Sequence, residues 1–142
     1  ENSKVKSIVK MPKGHIRDTG LLHTLLLITD EQQLFVNPIV GHSFESFVIE
    51  EIIKGIQSTM LTHWSYYYYR TRAGAEIDLI LEGPLGTLPV EIKYGSTTNM
   101  RQLKSLQNFV IENELPFGVR VNQSKAPCWL SPHIFQLPAN YL

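Results

Sequence analysis

A single cysteine, Cys128, occurs in the 142 residues, so no intrachain disulfide can form and a thiolate zinc site lacks its ligands. Scarce cysteine fits a reducing compartment, and a cytoplasmic location is expected. Long hydrophobic runs are missing too. The longest apolar stretch, residues 21–28, is broken by His23 and Thr24 and falls far short of a bilayer span, so no membrane association is expected. No secretory pattern opens the sequence. No glycine-rich run ends in Gly-Lys-Ser or Gly-Lys-Thr, which argues against an ATP site of the P-loop kind. Neither sign of charge dominates: 13 basic residues face 13 acidic ones. That balance gives no general electrostatic argument for nucleic acid and leaves a local basic face open. The one asymmetry is at the start, where Lys4, Lys6, Lys10, Lys13 and Arg17 face only Glu1 and Asp18. A solvated arm explains it at least as well as a phosphate-binding one.

What is present is the composition of a folded domain, 43% hydrophobic and 18% charged, in a length that suits one unit, residues 1–142, with its own core. Residues 5–9 read as a short strand or an arm. Asp18 or Thr19 can cap a helix that buries Leu21, Leu22, Leu25, Leu26 and Ile28, and residues 30–37 read as a polar connection. Phe44, Phe47, Val48, Ile52, Ile56 and Met60 then recur near the helical period, which predicts a helix over residues 43–61 capped by Ser43, with Glu50 and Lys54 paired on its wet side. Glu45 lies on the rotational track of Ile49, Ile52 and Ile56, at the rim of the buried stripe. An unpaired carboxylate there is costly, so the position asks for a reason.

After that helix the period changes to two. Residues 64–70, 76–81 and 88–94 read as strands, the last two joined by a turn too short for a parallel crossover and therefore antiparallel. Strict alternation puts Glu76, Asp78 and Ile80 on one side of their strand and Ile77, Leu79 and Leu81 on the other. It likewise sets Glu91 and Lys93 opposite Val90, Ile92 and Tyr94. An amphipathic helix over residues 99–111, a strand at 117–121 and a shorter strand or extended segment at 129–137 complete the reading. The fold class expected is α/β, a mixed sheet flanked by helices.

Asp78, Glu91 and Lys93 carry the chemistry. If their strands are adjacent, the two carboxylates can converge on a hard divalent cation such as magnesium or manganese, and the lysine two residues after Glu91 can orient water or stabilise charge on a phosphate. Glu45 can join through water. Carboxylates alone would repel a phosphodiester; a cation reverses that. The bland alternative is that Glu91 and Lys93 decorate the wet face of an ordinary strand. Glu76 can assist a metal or pair with Arg70 or Arg72, and the ion pair is favoured. Arg70 and Arg72 are as ready to neutralise the acidic cluster as to bind phosphate. Gln102 reads as an ordinary exposed helix residue, and His42 as a cap or surface residue. Trp64, Tyr66 and Tyr68 on one face, with Tyr67 and Tyr69 on the other, read as sheet packing before they read as a base-stacking platform.

Glu45 on an early helix, Asp78 on a strand and Glu91-Ile92-Lys93 on the next strand resemble the PD-(D/E)XK nuclease superfamily, with Ile77 where the superfamily's name has proline. More of the chain is similar to the C-terminal region of predicted AAA-type ATPases, the DUF4143 domain. The matching stretches are Arg17-Asp18-Thr19-Gly20-Leu21-Leu22, Gly41-His42-Ser43-Phe44-Glu45-Ser46-Phe47-Val48, Gly74-Ala75-Glu76-Ile77-Asp78 and Pro89-Val90-Glu91-Ile92-Lys93. The resemblance implies a restriction-endonuclease-like core and an ATPase domain preceding it in the full-length protein. It also implies Glu45, Asp78, Glu91 and Lys93 as catalytic residues, the three acids as metal ligands, and DNA as partner. The runner-up is a catalytically inactive module that binds nucleic acid or protein and regulates the ATPase.

Overall fold

The structure, a computed structural model, describes Gly14, residues 16–70 and residues 74–142. The strand or arm expected at residues 5–9, the early lysines Lys4, Lys6, Lys10 and Lys13, and Arg72 lie outside the described residues. Among the described residues no helix is long and apolar enough to cross a membrane.

Among the described residues three helices come first. α1 (Thr19–Leu25) starts at Asp18, whose carboxylate accepts from the Leu21 amide at 2.9 Å. That bond satisfies one of the amides a helix start leaves without a partner. The buried face expected of α1 is not found: Leu21, Leu25 and Leu26 are exposed. The connection that follows is itself a short helix, α2 (Glu31–Val36), because Asp30 caps it by accepting from the Gln33 amide at 2.8 Å. α3 (Val40–Ser58) starts three residues earlier than predicted, so Ser43 is a buried residue inside it and not its cap.

Six strands follow in one sheet, ordered β1-β2-β3-β4-β6-β5. β1 (Ser65–Arg70), β2 (Glu76–Gly83) and β3 (Gly86–Ile92) form an antiparallel meander, as their short turns require. A 3-10 turn (Met100–Leu103) and α4 (Lys104–Glu112) then carry the chain across the sheet, so β4 (Gly118–Asn122) returns parallel to β3. The segment expected at 129–137 is a hairpin, β5 (Cys128–Ser131) and β6 (Ile134–Pro138), with β6 parallel to β4.

Two apolar cores make this a three-layer molecule. On one face Val48, Ile49 and Ile53 of α3 pack on Leu79, Leu81, Val90, Ile92, Val119 and Val121. On the other, Leu103 joins Leu106, Phe109 and Val110 of α4 over Ile77, Ile80 and Ile134. Each such side chain contributes roughly 1.5–3 kcal/mol on leaving water, which is what holds both helices to the sheet.

Strict alternation fails in β2. Tyr67 pairs with Ile80 but Tyr69 with Ile77, so the single residue Tyr68 faces both Asp78 and Leu79, a β-bulge. As a result Ile77 and Ile80 share the α4 face, while Leu79 and Leu81 share the α3 face. The uniform two-residue period assigned Ile77 to the wrong side because it had no room for the extra residue.

Candidate functional site

Asp78 sits on that bulge. The β2–β3 ladder pairs Leu79 with Val90, and one step further the register brings Asp78 level with Glu91. There the Asp78 side chain accepts from the Ile92 amide through Oδ2 at 2.8 Å. A side-chain carboxylate thus replaces a backbone acceptor where the bulge interrupts the ladder. Both acids are buried, each 6% exposed.

Glu91 alternates with Val90 and Ile92 and therefore faces the α4 layer, with the exposed Lys93 two residues on. Burial pushes the Glu91 carboxyl above the usual carboxylate range, and Asp78 adds to the push, while Arg120 and Lys93 pull it back. Glu45 is half-buried on α3, the helix that covers the opposite face of β3. Among the described residues no group of three or more His, Cys, Asp or Glu side chains is arranged to hold a metal ion. Asp78 and Glu91 are brought together; Glu45 does not join them in such a group.

One participant escaped sequence reasoning. Arg120 of β4 pairs with Glu91 in the β3–β4 register, is 1% exposed, and sets Nη1 3.1 Å from Glu91 Oε2. The contact is an ion pair without hydrogen-bond alignment: among the described residues Nε and Nη1 of Arg120 and Oε2 of Glu91 find no hydrogen-bond partner. Among the described residues the guanidinium donates one hydrogen bond, from Nη2 to Gln102 Oε1 at 3.2 Å. Gln102 is exposed, as expected, but its amide is held in a capping box with Asn99 at the start of the 3-10 turn. The available signal was a charged residue between Val119 and Val121, on a strand buried along both faces.

A buried polar seam continues along the α4 face. Asn122 Nδ2 donates to Gln136 Oε1 at 2.9 Å and to Thr98 Oγ1 at 3.2 Å, and Gln136 Nε2 reaches Cys128 Sγ at 3.5 Å. The other expected partners resolve cleanly. Arg70 pairs with Glu76 at 3.0 Å, the ion pair favoured from sequence. Glu50, expected on the wet side with Lys54, is instead 8% exposed and held by Arg17 at 2.8 Å, while Lys54 pairs with Glu51. His23, without a role in the sequence reading, places Nε2 2.6 Å from Ser43 Oγ. Tyr67 and Tyr69 pack against the α4 core and Trp64 against the α3 core, on the faces their alternation assigned, whereas Tyr66 is exposed.

The fold and this acidic pair define an α/β domain with two buried carboxylates beside an exposed lysine. Residues 40–142 match the family described as Domain of unknown function (DUF4143), and the chain belongs to that family. Two uncharacterized proteins, from Mycobacterium bovis and Mycobacterium tuberculosis, are each 34% identical over 133 residues, 94% of this chain. The match spans 29% of the length of each relative. Among solved structures, Pyrococcus furiosus SfsA in complex with Ca2+ aligns at a TM-score of 0.32 and 14% identity, covering 68% of this chain and 44% of that one.

Proposed function

We propose that this domain is a nuclease-like module that hydrolyses phosphodiester bonds in DNA with a magnesium or manganese ion as cofactor. The observation that carries the reading is the side-by-side burial of Asp78 and Glu91 at the bulge, with Lys93 exposed two residues along the same strand. The donor set suits a hard cation, which takes oxygen ligands.

In this reading Asp78 and Glu91 would hold the ion, and Glu45 would assist from α3. The ion supplies Lewis-acid chemistry and positive charge at the phosphate. The chain's own residues do the rest. The Ile92 amide fixes the Asp78 carboxylate, so that it needs no reorganisation when substrate arrives. Lys93, free of the core, is placed to counter charge that builds on the phosphate oxygens. The site lies at the carboxyl ends of the parallel pair β3 and β4, where open α/β sheets commonly take ligands. The match spans 29% of each relative, which leaves room for a further part of the reading, an AAA-type ATPase domain preceding this one in the same polypeptide.

One observation favours a second reading, a non-hydrolytic module that binds nucleic acid or protein and regulates the attached ATPase. Arg120 already sits against Glu91, so the buried acid has a counter-charge without a metal.

The deciding measurement is cleavage of single- and double-stranded DNA and of RNA with added Mg2+ or Mn2+, comparing wild type with Lys93→Ala and Asp78→Asn. We expect metal-dependent DNA cleavage that falls by roughly two orders of magnitude or more in each folded variant, the usual scale for losing a group that stabilises transition-state charge. Folded wild type that cleaves none of these substrates overturns the hydrolytic reading.

A further inference from the structure

Arg120 is an uncommon way to fill a strand interior. A fully buried guanidinium has five N–H donors to satisfy, and among the described residues Nε and Nη1 find no acceptor. It forms an ion pair with Glu91 at 3.1 Å, and it donates a hydrogen bond to Gln102, an exposed side chain on the 3-10 turn. Breaking a buried ion pair by removing one partner leaves an uncompensated charge, so Arg120 and Glu91 each fix the electrostatic surroundings of the other.

We propose that Arg120 is a positioning residue that serves as the resident counter-ion of Glu91 and competes with a divalent cation for that carboxylate, with Gln102 as the acceptor that draws the guanidinium away. The inference rests on the metal-site reading above and adds to it the regulation of cation uptake. The geometry supplies three elements of the argument. First, Glu91 and Arg120 are register partners on adjacent parallel strands, so the guanidinium cannot leave the neighbourhood of the acid pair. Second, like charges repel strongly where water is excluded, so a cation drawn to Asp78 and Glu91 meets Arg120 as an opponent. Third, the bond formed at Gln102 gives the guanidinium a second acceptor beside Glu91, where its hydrogen-bond alignment is lacking.

The test is calorimetric titration of Mn2+ alone into folded wild type, Arg120→Gln, Gln102→Ala and, as the site control, Asp78→Asn. Removing the competing charge should tighten Mn2+ binding in Arg120→Gln by about tenfold or more. Removing the alternative acceptor should weaken it several-fold in Gln102→Ala, a surface change that keeps the fold available should Arg120→Gln not fold. Asp78→Asn should lose binding. Mn2+ bound by wild type and Arg120→Gln with equal affinity, or more weakly by Arg120→Gln, overturns the competition while leaving the metal site standing. If Arg120→Gln is unfolded, equal affinity in Gln102→Ala and wild type does the same. Absence of Mn2+ binding in wild type and in both the Arg120 and Gln102 variants overturns the competition and the metal site together.

Discussion

Tyr67 sits on the α4 side of β1, and its hydroxyl donates to Glu82 Oε2 at 3.1 Å. Burial first, and then that bonded carboxylate, hold the phenol in its neutral form, so its pKa is pushed up to about 12 from the ordinary 10.0. Tyr68, on the other face, is pushed up to about 12 by burial and by Glu76. A phenol whose folded pKa exceeds its unfolded value binds its proton more tightly in the native state. The stabilisation is therefore complete below pH 10.0 and is lost as pH rises towards about 12. Chemical denaturation across that window should show stability falling with pH in wild type and a shallower fall in Tyr67→Phe, with Tyr68 supplying what remains. Identical slopes in the two proteins would refute the assignment to Tyr67. At this scale Asp78, Glu91 and Lys93 were legible because their spacing on two strands is a local property. Arg120 was not, since its significance depends on β4 returning parallel to β3, a fact about a crossover and not about neighbours in sequence.

The elements show what periodicity can and cannot convey. The strand at β2 was readable from its alternating residues, but the bulge that seats Asp78 was not, because one residue opposing two appears only when the partner strand is known. α3 was readable for the same reason its core is strong: Val48, Ile49 and Ile53 fall on one stripe. Its misread polar residues, Ser43 and Glu50, are buried beside His23 of α1 and Arg17 just before α1, while Phe47 and Met60, counted in its apolar stripe, are exposed. How closely α4 packs on β4 is measured by Gly118. A methyl group built there would lie 2.9 Å from Leu106 Cδ1, 3.1 Å from Leu106 Cγ and 3.0 Å from Val110 Cγ2. Both neighbours are fully buried, so neither can swing into solvent. Gly118→Ala should therefore destabilise the domain by about 1–3 kcal/mol, the usual cost of overpacking a filled core. Urea unfolding measures it, and an unchanged midpoint would mean that the α4 layer is looser than these distances require.

Across the whole molecule, cohesion is uneven. The sheet with α3 and α4 owns both apolar cores, whereas α1 and α2 bury no residue and leave Leu21, Leu25, Phe35 and Val36 exposed. Among the described residues, polar contacts to α3 tether this segment from Arg17 to Glu50 at 2.8 Å and from His23 to Ser43 at 2.6 Å. Exposed ion pairs contribute little, about 0–1 kcal/mol, but here Glu50 and Ser43 are buried and depend on their partners for satisfaction. Local opening should follow this division, since regions with few buried apolar contacts open at low free energy while core strands open only with global unfolding. Amide hydrogen exchange should thus run fastest in α1 and α2 and slowest at Leu79, Val90 and Val121. The double variant Arg17→Ala, His23→Ala should accelerate exchange over α1 while leaving those three strand amides unchanged. Protection of α1 equal to that of β3 in wild type would show that the leading helices are part of one cooperative unit. The candidate site lies wholly within the slow region, on β2, β3 and β4, so opening of the leading helices should leave Mn2+ affinity at Asp78 and Glu91 as it is in the intact protein.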